Sequence, residues 1–183
     1  MSSRLTVIAG PTAVGKGTVI RHILANHPEI RLSVSATTRA PRAGEQDGVS
    51  YYFLTKDEFE KAIAAGQMLE YAVVHGENYY GTPRGPVDDA LAHGDLMILE
   101  IDIQGARQVK KAMPEASLIF IAPPSWEELV RRLQGRGTET AAEQERRLET
   151  ARQELEAQSE FDYVVVNDDV AECASKVVDL MQA

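Results

Sequence analysis

Thr6 to Ala9 is a run of apolar and β-branched residues that ends on Gly10, and the loop that follows closes at Gly15-Lys16. Gly17 to Ala25 then has the character of a helix. A buried parallel strand, a glycine-rich turn and a helix N-terminus in this order form an anion cradle: loop N–H groups and the positive helix end point at phosphate oxygens, and Lys16 reaches the outer phosphates. The spacing is the P-loop pattern G-x-x-x-x-G-K, over Gly10, Pro11, Thr12, Ala13, Val14, Gly15 and Lys16. The hydroxyl expected directly after the lysine is replaced by Gly17, and Thr18 brings one a position later. A plain strand-to-helix connection needs none of this spacing.

The chain around this stretch has 183 residues, enough for one domain with a full core. Its 44% apolar and 26% charged residues are ordinary for a globular protein. A net charge of −9 argues against nucleic acid or an anionic membrane as partner, so anion binding must come from local cations. No apolar run approaches the ~20 residues of a membrane span. The start leads straight into a strand, so no signal peptide is expected. Cys173 stands alone, which excludes an internal disulfide and a cysteine zinc site; a cytoplasmic enzyme is expected.

Strand and helix signals alternate along most of the chain. Ile30–Ser35, Leu96–Asp102, Ser117–Ala122 and Tyr163–Val166 read as strands. Pro83–His93, Gln104–Met113, Ser125–Gln134, Thr140–Gln158 and the C-terminal stretch read as helices. Capping-box patterns open the helices at Thr55–Glu58 and Ser125–Glu128. Such alternation predicts an α/β fold with a doubly wound parallel sheet and right-handed crossovers. The block from Ser35 to Thr82 departs from that rhythm. It is polar and turn-rich, then carries short strands at Val49–Leu54, Met68–Val74 and Tyr79–Tyr80, and reads as an inserted mixed α+β lobe. The helix from Thr140 has few apolar residues, Leu148 and Leu155 among them, so it is solvated or covers something only part of the time.

Two groups of arginines flank the cradle. Arg39 and Arg42 lie in the inserted lobe near Tyr51, with no carboxylate within two residues. Arg131, Arg132, Arg136, Arg146, Arg147 and Arg152 gather around the charged helix, where Arg131, Arg146 and Arg152 suit pairing with nearby glutamates. Phosphoryl transfer needs cations on the migrating group and others to hold the acceptor, so two groups suit a donor and an acceptor that are both phosphorylated. Glu100 and Asp102 lie two residues apart at the C-terminal end of a strand, where ligands of open α/β sheets bind.

The stretches Gly10–Thr18, Val34–Glu45, Tyr51–Phe53, Leu69–Ala72, Tyr79–Thr82, Leu99–Gly105, Arg132–Glu139 and Val166–Asp169 resemble guanylate kinase, a nucleoside monophosphate kinase. The resemblance covers nearly the whole chain, and the run Ser35-Ala36-Thr37-Thr38-Arg39-Ala40-Pro41-Arg42 is its most specific part. It implies a single domain over 1–183, with a core of about 1–34, 83–126 and 160–183, a GMP-binding lobe of about 35–82 and a helical lid of about 127–159. It implies ATP as donor and GMP as acceptor. Ser35, Glu70, Thr82 and Asp102 would face guanine, and Arg39, Arg42, Tyr51 and Tyr80 would hold the GMP phosphate. Lys16, Arg136 and Arg147, with Arg132 nearby, would stabilise the transferring phosphoryl, and Asn167 would meet the adenine of ATP. The chemistry agrees, since guanine presents N1–H and its 2-amino group side by side to a carboxylate such as Glu70.

Three positions depart from the family pattern. Gly17 removes the hydroxyl that usually contacts magnesium, so Mg²⁺ is expected on phosphates and water without direct side-chain ligation, and Thr18 or Glu100 would lie beyond its waters. Glu100 stands where the family often has aspartate. The turn Gly76–Tyr80 is one residue longer than usual, which leaves either Tyr79 or Tyr80 at the phosphate. Two other readings stay open here: a non-catalytic module that binds phosphorylated proteins, and a kinase for another phosphorylated acceptor such as a ribose bisphosphate. His22, His27, His75 and His93 have no ligand spacing, and nothing indicates the oligomeric state.

Overall fold

A computed structural model describes residues 4–74, 76–134 and 140–183. In chain order it contains β1 (Leu5–Ala9), α1 (Lys16–Asn26), β2 (Ile30–Leu32), β3 (Ala36–Thr37), β4 (Tyr52–Phe53), α2 (Lys56–Ala64), β5 (Met68–Val74) and β6 (Asn78–Pro83). These are followed by α3 (Arg84–Ala92), β7 (Leu96–Glu100), α4 (Ile103–Ala112), β8 (Ser117–Ala122), α5 (Trp126–Gln134), α6 (Ala141–Glu156), a 3₁₀ turn (Ala157–Glu160), β9 (Tyr163–Val166) and α7 (Val170–Gln182).

Five strands form a parallel sheet in the order β2-β7-β1-β8-β9. Strand β1 lies in the middle and is buried throughout, as its unbroken apolar run requires. Ile8, Ile98, Ile119 and Ile121 face one way and pack with α1, α5 and α7 through Ile20, Ile23, Leu129, Val177 and Met181. Leu5, Val7, Met97, Leu99 and Leu118 face the other way and pack with α3 and α4 through Val87, Ala106 and Val109. Burial on both faces is the doubly wound arrangement. No described helix is long and apolar enough to cross a membrane.

A second, mixed sheet runs β4-β3-β6-β5. Its strands β3 and β4 are parallel, and β3–β6 and β5–β6 are antiparallel. Leu69 from β5 enters the core beside Val87 and Leu99. Gln108 on α4 completes the attachment by acting as a surrogate strand: its Oε1 accepts the Tyr71 N–H at 3.1 Å and its Nε2 donates to the Tyr71 carbonyl at 3.0 Å.

Several elements are shorter than their residue patterns predict. β2 ends at Leu32, not Ser35, and β4 holds only Tyr52 and Phe53. β5 lacks the in–out alternation usual in a half-buried strand, because Leu69 and Glu70 are both buried while Tyr71 is exposed. The register against β6 slips between Met68 and Glu70, and that irregularity turns two consecutive side chains inward. Thr55 and Glu58 make the reciprocal capping box. At α5 only half of the box forms: Ser125 caps the Glu128 N–H at 3.1 Å, while the Glu128 carboxylate is taken by Arg131 and Arg132.

Candidate active site

Gly10 carries φ 152°, and a Cβ there would sit 2.4 Å from the Ile121 carbonyl oxygen. Only a glycine lets the loop pass this close to β8. Gly15, at φ 96°, is the N-cap of α1 and offers no side-chain cap, so the first N–H groups of the helix stay available to an anion. Lys16, Gly17, Thr18, Glu100 and Arg132 line the resulting cavity of about 430 Å³. Lys16 Nζ donates to the Gly10 and Pro11 carbonyls at 2.5 and 3.2 Å. Burial lowers the pKa of this ammonium, and Glu154, Glu100 and Asp102 oppose the shift in that order.

The surrounding cations take distinct positions. Arg132 is fixed by Glu128 at 2.7 Å and donates to the Val14 carbonyl at 3.2 Å, which aims it at the cradle. Arg147 is half-buried on α6, and Arg136 lies outside the described residues. Arg131 pairs with Glu128 and Arg152 approaches Glu149, as their neighbours suggested. Asn167, expected at adenine, lies against the P-loop. It is only 3% exposed, and its Nδ2 donates to the Val14 carbonyl at 2.8 Å, so it braces the P-loop from beneath. Its Nδ2 meets the loop where β9 ends, and its buried Oδ1 has no hydrogen-bond partner.

In the second sheet, the Arg39 guanidinium makes a two-pronged bond to Glu45, 2.9 Å on each side. Its Nε donates to the Tyr80 hydroxyl at 3.3 Å, and the group lies 5.4 Å over the Tyr51 ring. Arg39 therefore has a carboxylate partner after all, brought from six residues away by the turn at Gly44. Arg39 holds the Glu45 carboxyl down to about 2, with help from the Arg42 N–H at 2.7 Å. The Arg42 guanidinium is exposed. Tyr51 and Tyr80 meet edge to face at 6.0 Å, whereas Tyr79 stacks on Phe59 and donates to Glu60 at 3.1 Å. Tyr80, not Tyr79, joins the arginine cluster.

Glu70 is buried, at 7% exposure, and its Oε1 accepts the Thr82 hydroxyl at 2.7 Å. Burial is the main cause of its raised pKa; the Thr82 bond opposes the shift, and nearby Asp102 adds to it. Asp102 caps α4 by accepting the Gly105 N–H at 2.7 Å. A Cβ at Gly105 would lie 2.9 Å from Glu70 Oε2 and 3.2 Å from Asp102 Oδ1, so the glycine makes room for two carboxylates side by side. Ser35 is half-buried on the approach to β3. Asp102 acts electrostatically on both Lys16 and Glu70, which links the cradle to this second pocket.

A family profile described as guanylate kinase matches residues 2–183. The chain belongs to the guanylate kinase family. A guanylate kinase of Leifsonia xyli is 64% identical over 177 residues, covering 97% of this chain and 70% of that one. One from Bifidobacterium longum is 60% identical over 178 residues, covering 95% and 91%. The crystal structure of guanylate kinase from Anaplasma phagocytophilum aligns with a TM-score of 0.73 at 35% identity, over 97% of this chain and 84% of that one.

Residue patterns alone passed over three residues that the structure places at this candidate site. Glu45 was hidden by its distance from Arg39, although a glycine one residue before it signals the turn that returns it. Arg21 donates to the Thr18 hydroxyl at 3.0 Å and lines the cradle, in space that a side chain at position 17 would narrow. Glu154 reaches the P-loop from α6: its Oε2 accepts the Thr12 N–H at 3.3 Å.

Proposed function

We propose that this chain transfers the γ-phosphoryl of ATP to GMP, and to dGMP, giving ADP and GDP. The observation that carries the reading is the buried Glu70–Thr82 pair beside Asp102, joined through Asp102 to a P-loop with Lys16 in place. A buried carboxylate suits the paired N1–H and 2-amino donors of guanine. A ribose bisphosphate has no such donors, and a protein-binding module has no use for Lys16.

Each residue group then has a task. Tyr51, Tyr80, Arg39 and Arg42 hold the GMP phosphate, with Glu45 keeping Arg39 in a fixed plane. Glu70, Asp102, Ser35 and Thr82 read the base. The P-loop from Gly10 to Thr18 cradles the ATP phosphates, Lys16 and Arg132 neutralise them, and Arg136 and Arg147 add charge where the phosphoryl migrates. The attacking phosphate oxygen is anionic at neutral pH, so no general base is required. Catalysis consists of positioning, charge neutralisation and exclusion of water by the lobe and by residues 127–159 acting as a lid.

The cradle suits Mg²⁺ that arrives with ATP. Gly17 brings no hydroxyl, Thr18 Oγ1 is engaged by Arg21, and Glu100 is the carboxylate lining the cavity. An ion that keeps several waters and binds mainly through phosphates fits this donor set. When bound, it offsets the negative charge on the β- and γ-phosphates. The buried lone Cys173, whose thiol is pushed up to about 11 by burial, accords with a cytoplasmic enzyme.

The test is ADP release from ATP–Mg²⁺ with GMP, dGMP, AMP, UMP and CMP. GMP should exceed the non-guanine acceptors by several orders of magnitude. Comparable rates with AMP, or no ADP with any acceptor, would overturn the assignment.

A further inference from the structure

One side of α6 faces protein despite the charge of the helix. Gln144, Arg147, Leu148, Ala151, Glu154 and Leu155 are buried or half-buried, whereas the residues between them are exposed. Spacings of three and four place these six on one stripe. Leu148 and Leu155 pack on the core, and Ala151 is fully buried. Arg147 and Glu154 are the two charges on this stripe, seven residues and two turns apart.

Glu154 sits where α6 meets the P-loop. It accepts the Thr12 N–H and acts electrostatically on Lys16. Burial pushes the Glu154 carboxyl up, against the Thr12 bond and the Lys16 charge. A carboxylate on a phosphate-binding loop can imitate a phosphate and block the site. The cavities argue otherwise. Lys16, Gly17 and Arg132 line the phosphate cradle, while Glu154 lines a neighbouring pocket with Asp102, Gln104 and Thr150. Glu154 therefore meets the loop at Thr12, on the rim of the cradle, without itself lining the cradle.

We infer that Glu154 is a positioning residue for phosphoryl transfer: it fastens α6 to the P-loop through Thr12 and so sets the helix rotation that carries Arg147 to the migrating phosphoryl. The inference rests on the role assigned to Arg147 above. It predicts a loss in kcat with little change in KM, because the nucleotides are held by other groups.

The experiment is a double-mutant cycle with ATP and GMP, using Glu154→Ala, Glu154→Gln, Arg147→Ala and the double alanine variant. Loss of one charged hydrogen bond predicts that Glu154→Ala lowers kcat roughly 10- to 100-fold, with both KM values within about threefold of wild type. Glu154→Gln keeps an acceptor for the Thr12 N–H and should recover most of that loss. In the Arg147→Ala background, Glu154→Ala should cost less than about threefold more, since the two act as one unit. Three results would overturn the inference alone: wild-type kcat in Glu154→Ala while Arg147→Ala is slow, a glutamine variant as slow as the alanine one, or full multiplication of the two losses. Wild-type kcat in Arg147→Ala would overturn the role of Arg147 and this inference with it. The glutamine variant retains the size of the side chain, so it tests the contact even where alanine weakens the fold.

Discussion

Replacing Glu70 tests base recognition most directly. In the folded protein one carboxylate oxygen takes the Thr82 hydroxyl at 2.7 Å, and the other lies beside Gly105 and Asp102. Two guanine donors bound to a charged acceptor contribute about 1.5–3 kcal/mol each, so Glu70→Ala should lose about 3–6 kcal/mol, or roughly 10²- to 10⁴-fold in kcat/KM for GMP. Wild type should prefer GMP to AMP by about 10⁴–10⁵, the scale at which a site built on such donors rejects a base that lacks them. Glu70→Gln is the sharper variant. Thr82 donates to the amide oxygen and thereby turns the NH₂ towards guanine, donor against donors, so the loss should equal or exceed that of alanine. The fold should tolerate both changes, because burial already disfavours the ionised carboxylate. The assay is ADP release with GMP and AMP in all three proteins, together with ATP titration and thermal melting. An alanine variant that melts like wild type and keeps the full GMP preference would refute the assignment and leave base reading to Asp102, Ser35 and Thr82.

The raised pKa of Glu70 sets two pH dependences. kcat/KM for GMP should fall as pH drops through a midpoint above 4.5, a limb that Glu70→Gln should lack in a pH–rate profile. The fold binds the extra proton in the window from 4.5 up to the raised value, so Glu70 should make the protein less stable as pH rises through that window; urea midpoints of wild type and Glu70→Gln should diverge there. Tyr80→Phe should raise KM for GMP several-fold, while Tyr79→Phe, which loses only an exposed bond to Glu60, should leave it within about twofold. Equal effects in the two variants would remove Tyr80 from the phosphate cluster.

The parallel core was legible because β1, β7 and β8 are apolar runs each followed by a helix-length segment, and burial on both faces demands that pattern. The cradle was legible because its mechanism needs glycines and a lysine at fixed spacing. Local chemistry was harder to read where chain reversals decide it. No pattern around Arg39 announces Glu45, since the turn at Gly44 makes that contact. The slip in β5 that buries Glu70 beside Leu69 leaves no trace in an alternation count. The bond from the Asn167 Nδ2 to the Val14 carbonyl is equally silent in the sequence, because 153 residues separate the two. The charged surface of α6 concealed an inward stripe because two of its six members are themselves ionic.

Gln108 makes β5 a part of the core as well as of the lobe. Its two bonds to Tyr71 bind this strand to α4, so a lobe that swings inward turns about β5 as a hinge line. Glu70 stands on that line and Asp102 caps the helix it is stitched to. On the proposed reading, the gauge that measures the base would therefore stay in place while the phosphate-holding residues move. An incoming nucleotide would then be inspected at the doorway, before the lobe closes on its phosphate. A wrong base would leave with the triphosphate intact.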